Sequence, residues 1–168
     1  MSERLVFGRD KQEWPHRAAS RFVSAGGVDW HVQIMGQGPA LLMLHGTGAS
    51  THTWHALAPL LMSHHTLICP DLPGHAFTEQ APGAGMSLPG MAAGVAALVQ
   101  ALGLPLHGLV GHSAGAAVAA QMLLQERLPL AQLNLKARHA QGLWQIQQAQ
   151  ARLAAGQLQG QGQQTPNG

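Results

Sequence analysis

Leu106-His107-Gly108-Leu109-Val110-Gly111-His112-Ser113-Ala114-Gly115 is the stretch that decides the fold. Leu106 to Val110 reads as a buried strand, and the alanine-rich run from Ala114 to Leu124 reads as a helix. Between them, Ser113 falls on a tight turn flanked by Gly111 and Gly115. Such a turn strains the backbone at the serine, and the strand and helix approach closely only where their first neighbours lack side chains. The hydroxyl then stands exposed at the sheet edge, beside the positive end of the helix dipole. The backbone N–H of Ala114 points at the space where an oxyanion would form. These are the residue types that a nucleophilic serine needs.

The chain upstream supplies a matching setting. Pro39 leads into Ala40-Leu41-Leu42-Met43-Leu44, a continuous apolar run suited to a strand buried on both faces. The run ends in His45-Gly46-Thr47-Gly48, where Gly46 and Gly48 let a loop fold tightly. Thr66-Leu67-Ile68-Cys69-Pro70 reads as the next strand, with Asp71-Leu72-Pro73-Gly74-His75 as its terminal loop. In a parallel sheet all these loops lie on the ligand-binding edge. Arg21–Ser24 and Val28–Met35 flank Ala25-Gly26-Gly27 and predict an edge hairpin. A helix is expected over Thr53–Met62, capped by Thr53, with Trp54, Leu57, Leu60 and Leu61 on one face. A second is expected from a Ser87 cap to about Leu102, with Met91, Val95, Leu98 and Leu102 at helical spacing and Gly103 at its end. The fold class is therefore α/β: an antiparallel start followed by strand–helix–strand units.

Composition bounds the function. The chain has 168 residues, 46% of them hydrophobic, enough for one domain with a real core. Nine Lys and Arg against seven Asp and Glu leave a net charge of only +2, which argues against nucleic acid as a partner. The single cysteine, Cys69, lies in an expected core strand, which fits a reducing compartment. Arg9, Asp10, Lys11 and Glu13 stand where a signal peptide would need an apolar stretch, and no run reaches the length of a membrane span. A cytoplasmic protein is expected. Among the eleven histidines, His52 with His55 and His64-His65 are close in sequence but lack a converging carboxylate or thiolate, so neither a metal nor another cofactor is expected. His45, His112 and Asp71 are read as shaping the loops around Ser113, and Met86, Met91 and Trp54 as core or pocket wall.

The motifs together resemble the α/β-hydrolase superfamily. The glycine–serine–glycine turn matches its nucleophile elbow, and the resemblance implies Ser113 as catalytic nucleophile. It also implies an oxyanion hole formed by the N–H groups of Thr47 and Ala114, with Gly46, Gly48, Gly111 and Gly115 as motif glycines. Trp14-Pro15-His16-Arg17, Trp30-His31-Val32-Gln33, Ser87-Leu88-Pro89-Gly90-Met91 and Pro70-Asp71-Leu72-Pro73-Gly74-His75 narrow the likeness to one branch. That branch is the magnesium-chelatase-associated α/β-hydrolases of bacteriochlorophyll synthesis. The resemblance implies a photosynthetic bacterium and a role near magnesium insertion. The partners it suggests are a small-molecule substrate or tetrapyrrole intermediate, and contact with the chelatase.

After Leu124 the pattern changes. The superfamily carries its triad in the order Ser, acid, His, yet only Glu126 and His139 follow Ser113 as acid and histidine. Glu126 lies thirteen helical residues on, about 20 Å from the elbow at 1.5 Å per residue. The expected organisation is a leader over 1–17 that packs loosely, a partial hydrolase domain over 18–126 lacking its last strands, and a Gln-rich tail over 127–168. That tail is expected to be helical across Leu130–Leu153 and disordered over Gln157–Gly168, and it reads as a truncation or frameshift near 125–130. Two functions follow. One is an ester-type hydrolase built on Ser113 with its triad acid and histidine missing. The other is a non-catalytic accessory or tetrapyrrole-binding protein, or an inactive fragment.

Overall fold

A computed structural model describes residues 5–126, 130–140 and 143–153. Among the described residues, seven strands form one sheet, in the order β1-β2-β4-β3-β5-β7-β6. They are β1 (Ser20–Ala25), β2 (Val28–Gly36), β3 (Ala40–Leu44), β4 (Thr66–Pro70), β5 (Leu106–His112), β6 (Leu130–Ala140) and β7 (Leu143–Leu153). The helices are α1 (Phe7–Asp10), α2 (Ala58–Leu61), α3 (Leu88–Leu102) and α4 (Ala114–Glu126). β3 pairs in parallel with β4 and β5, while β1, β2, β6 and β7 join antiparallel. The N-terminal hairpin forms as its sequence demands: Ala25 faces Val28 across Gly26 and Gly27, both at positive φ.

The apolar runs are buried on both faces, and the period of two sorts them. Leu42, Leu44, Ile68 and Leu109 pack against Val95 and Leu98 of α3 and Val118 and Met122 of α4. Their strand neighbours Met43, Leu67, Cys69 and Val110 pack on Trp54 and Ala58 from the opposite face. α3 matches the expected helix closely. The Ser87 hydroxyl accepts from Gly90 N–H at 3.2 Å, Val95 and Leu98 are fully buried, and Gly103 closes the helix in the left-handed region.

Three expectations are corrected. The helix over Thr53–Met62 is instead a 3₁₀ turn at Thr51–Trp54, capped by Ser50, followed by the short α2. Pro59 explains the break, since it has no N–H to donate back to the preceding turn. Trp54 is buried as expected, but Leu60 is 73% exposed, so the four apolar residues do not share one face. The N-terminal segment is also more firmly packed than expected. Phe7 meets Phe22 and Phe77 edge-on at 5.2 and 5.1 Å, and Trp14 meets Phe77 at 4.6 Å. Trp14 Nε1 donates to Thr51 Oγ1 at 2.9 Å.

The third correction concerns Leu130–Leu153, which forms the β6–β7 hairpin rather than a helix. Its sequence also alternates in short runs: Leu133, Leu135 and Ala137 in one strand, and Trp144 with Ile146, then Ala149 with Ala151 one residue out of phase, in the other, where the β6–β7 register shifts. The open edge of β5 decides between the two periods, because β7 pairs with it from Gly108↔Arg152 to His112↔Gln148. The disorder expected for Gln157–Gly168 lies outside the described residues.

Candidate active site

Ser113 sits between β5 and α4 with φ +54°, in a region that side-chain-bearing residues seldom enter. Its carbonyl accepts from Ala116 N–H at 3.0 Å, starting the helix, and its side chain is exposed at the sheet edge. The neighbouring glycines are required by contact. A Cβ on Gly111 would meet Ala116 Cα at 2.5 Å, and one on Gly115 would fall onto the Leu44 carbonyl oxygen. β5, α4 and the end of β3 thus close around the serine with no room for a methyl group.

Gly46 brings the second loop to the same point. A Cβ there would lie 2.9 Å from Ser113 Cβ, so the glycine at the end of β3 touches the elbow. Thr47 and Gly48 follow directly and are exposed. The structure therefore brings Ser113, Ala114, Gly46, Thr47, Gly111 and Gly115 together at one place. Glu126 ends α4, thirteen residues along that helix. His139 lies on β6, two strands from β5, and three residues past Lys136, which shares Gln148 as partner with His112. By backbone position both stand apart from the elbow.

The loop beneath Ser113 is fastened by His45. Its Nδ1–H donates to the Gly46 carbonyl at 2.7 Å, and its Nε2 accepts from Leu72 N–H at 2.9 Å, which fixes the neutral tautomer. Burial pushes the pKa of His45 below its ordinary value, and the His75 ring 5.1 Å away pushes the same way. Both His45 nitrogens are thus committed to backbone groups, and His45 shapes the loop. Cys69 lies in the core of β4, where burial pushes its thiol up to about 12.

Sequence reading did not find His31. Trp30-His31-Val32-Gln33 looks like a strand with one wet face, yet His31 and Gln33 are both buried. His31 Nδ1 donates to Asp71 Oδ2 at 2.7 Å, and both side chains are fully buried. Asp71 Oδ1 also accepts from Thr51 N–H at 2.6 Å, and Oδ2 from Phe77 N–H at 3.3 Å. Asp71 thereby orders two loops at the sheet edge, the structural role its position suggested. An acid ending β4 opposite a polar residue of β2 was the available signal. Among the described residues no three metal-ligating side chains converge, and no helix is long and apolar enough to cross a membrane.

Comparison with known proteins agrees with this geometry. A family model described as the α/β hydrolase fold matches residues 39–142. The magnesium-chelatase 30 kDa subunit of Rhodobacter capsulatus is 36% identical over 133 residues, covering 77% of this chain and 47% of that protein. A fluoroacetate dehalogenase from a Burkholderia species is 36% identical over 108 residues, 62% of this chain and 36% of that protein. The crystal structure of an epoxide hydrolase from Vigna radiata superposes with a TM-score of 0.60 at 29% identity, over 64% of this chain and 36% of that one. The chain spans about half or less of the length of the curated relatives it matches. It carries the N-terminal part of their shared fold, with the strand–elbow–helix unit intact, and it belongs to the α/β-hydrolase fold family.

Proposed function

We propose that this chain carries the nucleophile and oxyanion half of a serine hydrolase site, in a protein that serves magnesium insertion into a tetrapyrrole. The observation that carries the catalytic part is the elbow. Ser113 is held at φ +54° against Gly46, with the first N–H groups of α4 beside it. Ser113 Oγ attacks the acyl carbon of an ester, and Thr47 and Ala114 N–H groups hold the oxygen as it gains charge. The link to magnesium insertion rests on the likeness to the chelatase-named relative.

General-base activation is the part the described residues do not supply, since Glu126 and His139 lie away from the elbow. An oxyanion hole with bound substrate still gives roughly 10³–10⁴-fold over water in a serine enzyme stripped of its triad. The chain is expected to hydrolyse p-nitrophenyl esters slowly, and free imidazole is expected to raise that rate by standing in for the absent histidine. Ser113→Ala should lower the steady-state rate and, once the protein-free imidazole reaction is subtracted, lose the imidazole-dependent gain. Equal rates for the parent and Ser113→Ala, with and without imidazole, would overturn the reading.

A second reading, a non-catalytic accessory or tetrapyrrole-binding protein, is supported by a groove of about 510 Å³ on the α3 side. Gly26, Val28, Pro73, Pro82, Ser87 and Gly90 are among the residues lining it, and its volume is in the range of small-molecule sites. Saturable quenching of protoporphyrin fluorescence, with no Ser113-dependent ester turnover, would move that reading to the front.

A further inference from the structure

The edge of the sheet farthest from Ser113 contains a second serine whose hydroxyl is in line with a histidine and an acid. Ser20 Oγ lies 2.9 Å from His31 Nε2, and His31 Nδ1 lies 2.7 Å from Asp71 Oδ2. The sheet register builds this line. Ser20 faces Gln33 and Phe22 faces His31 across β1 and β2, so the four side chains share one face. Val32 pairs with Pro70 across β2 and β4, and Asp71 N–H donates to the His31 carbonyl at 3.0 Å, which brings Asp71 alongside His31.

Donor counting fixes the direction of the line. The Gln33 amide donates to the Pro15 carbonyl at 2.6 Å and to Ser20 Oγ at 3.3 Å. Ser20 oxygen is thus already an acceptor, and His31 Nδ1–H is held by the carboxylate. The network closes when the Ser20 hydroxyl donates to His31 Nε2. Phe7, Phe22 and Phe77 stand around the imidazole at 5.2–5.4 Å and shield it from water. Ser20 itself is only half-buried, and Phe22 beside it is 53% exposed.

We propose that Ser20 is a second activated hydroxyl, a site of acylation by small uncharged aryl esters, independent of Ser113. Three strand spacings separate β2 from β5, about 14 Å at 4.8 Å each, so His31 and Asp71 serve Ser20 and not Ser113. In the reaction, Ser20 Oγ forms a bond to the acyl carbon and the bond to the phenolate oxygen breaks. The Ser20 proton passes to His31 Nε2 and from there to the departing phenolate, while Asp71 holds the imidazolium. Phe22 is the apolar surface on which the aryl group would rest.

The test uses the full chain carrying Ser113→Ala, treated with p-nitrophenyl acetate and with a fluorophosphonate, followed by mass mapping of each modified peptide. The expected result is an adduct on Ser20, at least ten times more abundant than on the exposed Ser63 of the same molecule. It should vanish in the Ser20→Ala, Ser113→Ala double variant and fall at least tenfold when Asp71→Asn is added to Ser113→Ala. No adduct on Ser20, or an adduct no more abundant than on Ser63, would overturn the proposal. An undiminished adduct in a folded Asp71→Asn chain would also overturn it. The Ser63 comparison decides even where Asp71→Asn fails to fold. Labelling of Ser113 in the parent is read separately, so either serine can fail without the other.

Discussion

At the scale of single residues, the site depends on where buried protons reside. His45 is neutral in the folded chain because burial disfavours its charged form, outweighing the Gly46 carbonyl that favours it, and because Nε2 accepts from Leu72 N–H. In the unfolded chain it titrates near its ordinary 6.5. As the pH falls below that value the unfolded state takes up a proton that folded His45 resists. Its contribution to stability is therefore complete above 6.5 and is lost as the pH falls toward the lowered folded value. His45→Gln should shrink the difference in urea midpoint between about pH 7.5 and about pH 5.5. An unchanged difference would show that other groups carry the acid sensitivity. Ser113, Gly111 and Gly115 were legible in the sequence because steric exclusion leaves few residue types possible there. His31 was not, because a histidine alternating with Trp30 and Val32 looks the same whether its face meets water or a buried Asp71.

At the scale of elements, strands and helices were readable where a single force decides them. α3 has a cap, an apolar stripe and a terminal glycine that all agree, and it forms where expected. Ser87→Ala removes the hydroxyl that accepts from Gly90 N–H and should cost about 1 kcal/mol in denaturant unfolding. A cost near zero would mean that packing of Val95 and Leu98 alone fixes the helix start. Over Thr53–Met62 the structure departs from the expected helix because one proline outweighs several apolar residues at helical spacing. β6 and β7 are not legible from sequence because their apolar residues fit helical spacing and, in short runs, a period of two, and the neighbouring strand chooses between them.

At the scale of the whole molecule, the hairpin and the elbow are one problem. β5 carries Ser113 at its end, and β7 covers its otherwise open edge through pairs such as Val110↔Gln150 and Gly111↔Ala149. Gln150→Pro puts a residue without an N–H into that ladder, and it should uncover β5 and promote association through the exposed edge. Light scattering checks this: a larger apparent mass at equal concentration is expected, and an apparent mass equal to the parent's would show that β5 tolerates an open edge. The superfamily relationship was readable from the order of loops along the chain, because a parallel sheet collects all its strand ends on one edge.

On the proposed function, Ser113 is a nucleophile held ready by a strained turn. The most direct measurement is the reaction of the unmodified chain with a fluorophosphonate, followed by peptide mass mapping and the same experiment on Ser113→Ala. An adduct is expected on the peptide carrying Gly111-His112-Ser113, and none in the variant. An unmodified Ser113 in a folded chain would contradict it.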